Sequence, residues 1–254
     1  MTLATITKPP RVRILNSEFD PLTLPATVTQ IFADIQAGQR GWLCTVNVAI
    51  LMMMRSSAPL QRFVAQARLI VADGQPLVWF APVFGARLPE RVTGVDLIDA
   101  LCARAAEEKI GLYLLGASNA VIQTVAERLR HSYPGLVVDA ADGYFQADAA
   151  PQRAAAIKAS GAKILLVGMG VPRQEQFIEQ QWENLGATVA IGVGGSFDVL
   201  AGLRQRAPGW VQRIGMEWFY RLIQEPRRLF MRYLVTNSQF LALVLRALLT
   251  GKRY

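Results

Sequence analysis

The stretch RLIVADG, Arg68–Gly74, decides the fold. Its apolar run is typical of a strand in a parallel sheet that is covered on both faces. Asp73 stands where such a strand ends. Asp-Gly is a common turn pair, but open α/β sheets also bind their ligands at the carboxyl ends of the strands. The stretch therefore leaves two interpretations of Asp73 open, a turn residue or a catalytic carboxylate.

Five further apolar stretches have the same form, and segments with helical spacing such as SNAVIQTVAERLRHSY and PRQEQFIEQQWENLG lie between them. This alternation predicts an α/β fold, a Rossmann-like, doubly wound, mainly parallel sheet over residues 12–202. The five stretches are GWLCTVNV (41–48), IGLYLLG (110–116), LVVDAADG (136–143), KILLVGMG (163–170) and ATVAIGVGG (187–195).

Residues 203–254 have a different character. They hold ten of the 27 Lys and Arg residues but only two acidic residues, so the whole net charge of +8 lies there. Their pattern predicts a helical appendage of two helices separated by Pro226. Basic residues interleaved with aromatic ones favour an anionic partner: nucleic acid, anionic lipid or a phosphorylated ligand. A solvated basic tail is the alternative.

Composition and motifs argue against several classes of protein. Cys44 and Cys102 are too few for a disulfide framework or a zinc site, and we expect both to be reduced core residues. No signal peptide is visible, and the apolar runs fall short of the ~20 residues that cross a bilayer. The stretch GMGVPRQ lacks the third glycine of a dinucleotide fingerprint, and neither a P-loop nor an Asp-x-Asp motif occurs. The single histidine, His131, is expected to be a helix-end cation.

The strand ends collect the candidate site residues. Asp73 is the best-placed base for taking a proton from an acceptor hydroxyl. The arginines of the appendage could stabilise a leaving diphosphate, a role that a metal usually fills. Glycines let backbone amides approach phosphate groups, so the set indicates a nucleotide-diphosphate site. The other candidates at strand ends and loops are Thr45, Asn47, Arg91, Gly168, Gly170, Gln174, Gly194, Gly195 and Asp198.

The motifs TVN, ADG, RVTGVDL, GMGVPRQEQFI, GVGGSFDVLAG and EWFYRLIQEPRR, in this order, resemble the WecG/TagA/CpsF glycosyltransferases over about residues 12–235. The resemblance implies inverting, metal-independent transfer of a sugar from a UDP-sugar to a sugar on undecaprenyl diphosphate, without a cofactor. It also implies a cytoplasmic enzyme, peripheral on the inner face of the cell membrane, whose C-terminal appendage docks on the membrane and closes the site.

The resemblance assigns roles to individual residues. Asp73 would be the general base, and Thr45 would position the acceptor or the base. Strand-end hydrogen bonding is the alternative for Thr45 and Asn47, and membrane contact without catalysis is the alternative for the arginines. Residues that would bind substrate are Asn47, Arg91 and Gln174 in the pocket, Asp198 at the nucleotide, and Arg221, Arg228 and Arg232 at the diphosphate.

The donor sugar stays open. The Ala- and Arg-rich composition and the basic tail favour glucose as the donor sugar, as in the GumM-like exopolysaccharide branch. Other members of the family transfer N-acetylmannosamine or its uronic acid. Family members can associate through the α/β core, so a homo-oligomer is compatible with the sequence. The rival function is a non-catalytic membrane- or nucleic-acid-binding module, although the family implies no nucleic-acid partner. A nicotinamide enzyme is a second, weaker rival.

Overall fold

Residues 9–251, apart from the side chain of Arg228, are described by the computed structural model. Six strands form a parallel sheet in the order β4-β3-β8-β7-β5-β6, and β1 and β2 form a separate antiparallel pair. The predicted α/β fold is therefore confirmed. The strands are β1 (Val12–Ile14), β2 (Ser17–Phe19), β3 (Gly41–Val46), β4 (Leu69–Ala72), β5 (Leu112–Gly116), β6 (Val138–Ala141), β7 (Ile164–Gly168) and β8 (Val189–Gly192).

Helices connect these strands and form the C-terminal appendage. Short 3₁₀ turns follow or precede three of them, at Ala81–Phe84, Ala147–Ala149 and Trp182–Asn184. The helices are α1 (Leu24–Gln36), α2 (Val48–Ser56), α3 (Ala58–Ala65), α4 (Gln75–Phe80), α5 (Gly94–Glu108), α6 (Asn119–Ser132), α7 (Ala150–Ser160), α8 (Arg173–Gln181), α9 (Ser196–Leu200), α10 (Gly209–Arg213), α11 (Glu217–Gln224) and α12 (Pro226–Thr250).

The sheet is buried on both faces, which explains its continuous apolar strands. Alternate residues of a strand point to opposite faces. Ile70 and Leu165 accordingly pack into one core cluster, whereas Val71 and Leu166 pack into the other. Cys102 is completely buried in the second cluster.

The strand order brings together the carboxyl ends that matter for a site. Strand β3 lies between β4 and β8, with Thr45 opposite Val71 and Cys44 opposite Gly192. Because all three strands run parallel, the residues that follow them emerge at one edge of the sheet. The sequence candidates at the ends of β3, β4 and β8 are therefore neighbours in space.

The candidate Gly168 has a packing role of its own. A Cβ atom built on it would lie 2.4 Å from Cδ2 of Phe197 and 2.9 Å from the carbonyl oxygen of Gly194. Real Cβ atoms do not approach other atoms so closely. Glycine is thus required here for the close contact between β7 and the segment after β8, whatever ligand the site holds.

The appendage contains three helices rather than the two that its sequence pattern predicts. The segment expected to form one helix before Pro226 is divided into α10 and α11 at Gly215, whose φ of +74° is a left-handed conformation that ends a helix. Pro226 itself begins α12, where its missing N–H costs no helical hydrogen bond.

Helix α12 packs on α2 along one face. Phe240, Val244 and Ala247 are buried there as part of the same core cluster as β3. Phe240 also meets the ring of Phe80 edge-on, with 5.8 Å between the ring centroids. The appendage is therefore joined to the α/β core by an apolar contact, and this contact orients the whole helix.

The opposite face of α12 is apolar and exposed. Leu229–Thr250 spans 22 residues with a mean hydropathy of 1.3, and by length and composition alone it could cross a membrane, although only 22% of its most apolar window is buried in the protein. The exposed apolar residues of the helix are Phe230, Met231, Leu234, Val235, Leu241, Leu245, Leu248 and Leu249.

The packing of α12 on the core gives a stability prediction. Replacing Phe240, which is 2% exposed, by alanine should destabilise the fold by about 3 kcal/mol, because a large buried ring leaves a cavity. Denaturant unfolding and hydrogen exchange along α12 measure the loss. The matched control, Leu241→Ala at an exposed neighbouring position, should change stability by less than about 0.5 kcal/mol. Equal effects of the two changes would contradict this packing.

Candidate active site at the carboxyl edge of the sheet

Asp73 follows β4, the outermost strand of the sheet, and backbone hydrogen bonds hold it against the neighbouring segments. Its amide donates to the carbonyl of Val46 at the end of β3, 2.8 Å away. The amide of Val92 donates to the carbonyl of Ala72, also at 2.8 Å, which brings the loop carrying Arg91 beside the end of β4. The strand-end position expected for Asp73 is thus confirmed, and its catalytic role stays a prediction.

Asn47 and Thr45 make the strand-end hydrogen bonds that were the alternative to a functional role. Asn47 caps α2 by accepting from the amide of Ile50 at 3.1 Å, and Thr45 donates its hydroxyl to the carbonyl of Gly192 at 3.1 Å. The amide nitrogen of Asn47 has no partner among the described residues. Asn47 can therefore cap α2 with its side-chain oxygen and contact a ligand with its side-chain nitrogen.

Gln174 joins α8 to the glycine-rich loop after β8. Its side-chain oxygen accepts from the amide of Gly194 at 3.2 Å, and its nitrogen donates to Oε1 of Glu175 at 2.8 Å. A Cβ atom on Gly192 would lie 2.5 Å from this nitrogen. The glycine makes room for the amide, and Gln174 is 3% exposed.

Ion pairs connect the appendage to the same edge. Arg91 contacts Glu217 of α11 at 2.5 Å, with both side chains mostly buried. Arg206 contacts Asp96 at the start of α5, also at 2.5 Å. Another connection is steric: Gly215, between α10 and α11, lies so close to α4 that an added Cβ atom would meet Cγ of Gln75 at 2.4 Å and Cζ2 of Trp79 at 2.5 Å.

The pKa of Asp73 reflects this surrounding. Burial raises the pKa to about 6, the positive charges of Arg221 and Arg91 lower it, and the negative charges of Glu217 and Asp96 raise it. An aspartate with this pKa is ionised at neutral pH and still able to accept a proton, which is the property of a general base. Two helices of different parts of the chain, α5 and α11, therefore act on one carboxylate.

The remaining candidates are distributed as follows. Asp198 is bound to Arg204 at 2.9 Å, and Arg204 also contacts Glu225. Arg232 lies exposed on α12 over the ring of Tyr233, and it is not among the charges that act on Asp73. Arg228 was expected at the diphosphate, but its side chain lies outside the part of the chain that the structure describes.

The glycine candidates have backbone conformations suited to tight loops. Gly170 and Gly194 have φ angles of +79° and +53°, and each leaves open space where a Cβ atom would stand. Gly195 precedes α9, and its Cβ would lie 3.4 Å from Arg204. The space above Gly170 and Gly194 is compatible with a ligand that contacts the backbone.

Two acidic residues of the site were missed as candidates. Glu217 is 8% exposed and was counted only as a charge, although a buried acid in a strongly basic segment indicates a specific ion pair. Glu175 belongs to the motif GMGVPRQEQF but was given no role, and it is also 8% exposed. Ile178, an apolar residue three positions later on the same helix face, was the available signal that its side chain turns inward.

No group of three or more His, Cys, Asp or Glu side chains in residues 9–251 is arranged to hold a metal ion.

An open groove of about 450 Å³ lies elsewhere, between α5, α6 and α9, and includes Asp99 and Arg128. Asp99 accepts from Tyr133 and Arg128 donates to the carbonyl of Leu200. The strand-edge residues are the better site, because charges of both signs act there on Asp73 and the side-chain nitrogen of Asn47 has no partner among the described residues.

The chain matches a known protein family. Residues 12–254 match the family model described as the glycosyl transferase WecG/TagA/CpsF family. The match includes the sheet, the strand-edge residues and the appendage. It begins at Val12, the first residue of β1.

The electrostatic arrangement predicts opposite pKa shifts in two variants. Arg221→Gln should raise the pKa of Asp73, because a positive charge is lost, and Glu217→Gln should lower it, because a negative charge is lost and Arg91 is released. Carboxyl-carbon NMR titration measures both shifts. Arg213→Gln on the exposed side of α10 is the control and should leave the pKa unchanged. Shifts of the same sign would contradict the arrangement.

Proposed function

Because the chain belongs to the WecG/TagA/CpsF glycosyltransferase family, which serves cell-surface polysaccharide synthesis, we propose that it moves a hexosyl group from a UDP-sugar to a sugar on undecaprenyl diphosphate. Glucose is the proposed donor sugar, in the manner of the GumM-like exopolysaccharide branch. Transfer from UDP-N-acetylmannosamine or its uronic acid is the alternative.

The observation that carries the proposal is that Asp73 follows β4 at the carboxyl edge of the sheet, where the positive charges of Arg221 and Arg91 act on it. In the proposed reaction Asp73 takes the proton of an acceptor hydroxyl, and the hydroxyl oxygen attacks the anomeric carbon from the face opposite UDP. The bond from that carbon to the phosphate oxygen breaks, and UDP leaves with the electron pair. One displacement of this kind inverts the anomeric centre.

Arginine is proposed to replace metal at the leaving diphosphate. Guanidinium groups match pairs of phosphate oxygens and keep their charge at all accessible pH values. The guanidinium group of Arg221 has no hydrogen bond or ion pair with the described residues, although its charge acts on Asp73. It is therefore available to a ligand, and Arg228 and Arg232 would add charge from α12 when substrate is bound.

The membrane is the proposed location of the acceptor. The outer face of α12 and the exposed Trp210, Ile214 and Phe219 of the other appendage helices form an apolar surface. Arg213, Arg227 and Arg232 are exposed around it, and they would contact anionic headgroups. This location would bring the lipid-linked sugar to the edge that holds Asp73.

The activity test is transfer from a panel of UDP-sugars to a lipid-diphosphate-linked sugar in the presence of EDTA. Asp73→Asn should lower kcat/KM at least about a hundredfold, the lower range for loss of a general base. For the unchanged protein kcat/KM should fall as the pH drops below about 6, because Asp73 then becomes protonated.

Asp148→Asn, an exposed aspartate in the connection from β6 to α7, is the matched control and should retain activity. Full activity of Asp73→Asn would show that Asp73 is a turn residue and that the base lies elsewhere. Loss of transfer in EDTA, restored by a divalent cation, would contradict the metal-independent reaction. Transfer from no donor would favour the binding-module function.

The membrane proposal is tested separately by co-sedimentation with vesicles that contain anionic phospholipid. Leu245→Glu should lower the partition coefficient about tenfold, because burial of one leucine side chain is worth about 1.5 kcal/mol or more. Gln239→Glu changes the charge by the same amount at an exposed polar position of the same helix. A similar loss in both variants would mean that charge alone, and not the apolar face, binds the vesicle.

A further inference from the structure

A buried carboxyl oxygen without a partner lies next to the proposed site. Oε2 of Glu175 has no hydrogen-bond partner among the described residues, and the side chain is 8% exposed. The other oxygen, Oε1, accepts from Gln174. A buried polar atom left in this way is unusual and requires a physical explanation.

The space around Glu175 is apolar and small. A cavity of about 10 Å³ adjoins it, which is room for about one water molecule. Burial of an isolated charge in such surroundings is costly. Strands β3 and β8 and helices α2, α3 and α8 line the cavity.

The groups that face Glu175 carry no compensating charge. Strand β3 supplies the Cys44 thiol and the Thr45 hydroxyl, β8 supplies the backbone of Gly192, and α2 and α3 supply only apolar side chains. The one other titratable group in the lining is Cys44, whose pKa is raised well above its usual value by burial, raised further by Glu175 and lowered by Arg11. The carboxyl group of Glu175 is therefore most stable when it is protonated.

We propose that Glu175, as a neutral carboxylic acid, is the positioning residue that holds the Gln174 amide against the glycine-rich loop after β8. The amide of Gln174 has two fixed contacts, Gly194 on its oxygen and Glu175 on its nitrogen, at 3.2 and 2.8 Å. Without the contact to Glu175, only the contact to Gly194 fixes the rotamer of the Gln174 side chain. The inference rests on the proposed function, since Gln174 is there a residue of the substrate pocket.

The protonation of Glu175 gives this positioning role a pH signature. Burial raises the pKa of Glu175 to about 7, and its hydrogen bonds with Gln174 and with its own backbone amide partly lower it. Above this pH the carboxylate becomes charged in the apolar cavity. Because the hydrogen bond from Gln174 offsets only part of the cost of burying this charge, the side chain then turns outward to water, and Gln174 loses its fixed contact. Activity should therefore fall as the pH rises through about 7.

Glu175→Gln and Glu175→Ala distinguish the role from general packing. The glutamine variant keeps an oxygen that can accept from Gln174 and cannot ionise, so it should retain activity below pH 7 and lose the alkaline fall of kcat/KM. The alanine variant should lower kcat/KM about tenfold at pH 6.5, because the orienting hydrogen bond is lost. Glu179→Gln, at an exposed position of the same helix, should keep the profile of the unchanged protein.

Two measurements are independent of activity. In ¹⁵N NMR the side-chain amide signals of Gln174 should shift as Glu175 titrates near pH 7 and should not do so in Glu175→Gln. The melting temperature of the unchanged protein should fall as the pH rises from about 4.5 to 7, because the folded state binds the proton of Glu175 more tightly than the unfolded state does. This fall should be smaller in Glu175→Gln. These measurements also decide the proposal if Glu175→Ala fails to fold.

An unchanged alkaline limb in Glu175→Gln, or Gln174 signals that do not respond to pH, would overturn the positioning role. If the unchanged protein transfers no sugar from any donor, the proposed function fails, and the NMR and melting results alone then decide whether Glu175 holds Gln174. If transfer occurs and the Gln174 signals are insensitive to pH, only the inference about Glu175 fails.

Discussion

The ion pair between Arg91 and Glu217 holds the appendage to the carboxyl edge of the sheet. It joins a loop beside β4 to α11 across 126 positions of sequence, and both side chains are mostly removed from water. Breaking a pair of this kind leaves an uncompensated buried charge, which costs far more than the loss of an exposed pair. Helix α11 is therefore fixed where Arg221 can act on Asp73, and α12 continues from it onto α2.

The sheet could be predicted from the sequence because its signal is local. Each strand is a short apolar run followed by a glycine or a polar residue, and RLIVADG contains the strand, its end and Asp73 within seven positions. The same locality explains why Thr45, Asn47 and Asp73 were found. Thr45 lies in the last two residues of β3, and Asn47 and Asp73 follow β3 and β4, which are neighbours. Gly168 was found by the same pattern, but the structure gives it a packing contact with Phe197.

The rest of the site depends on contacts that no local pattern contains. Glu217 pairs with a residue far away in sequence, so only its buried position reveals its role. The appendage is divided at Gly215, which has a left-handed conformation and lies close to Trp79 of α4. This packing joins segments that are far apart in the sequence. Whether Oε2 of Glu175 finds a hydrogen-bond partner depends on which side chains surround it in the folded protein. Propensity and periodicity carry no information of this kind.

The two cysteines have a practical consequence. Cys44 and Cys102, the only cysteines of the chain, are 7% and 0% exposed, and burial raises the pKa of both thiols. Alkylation requires an accessible thiolate, so both are unreactive in the folded protein. A cysteine introduced at an exposed position of α12, such as Leu248, would therefore react alone with a fluorophore or spin label. The native cysteines would therefore add no background to site-directed labelling of α12.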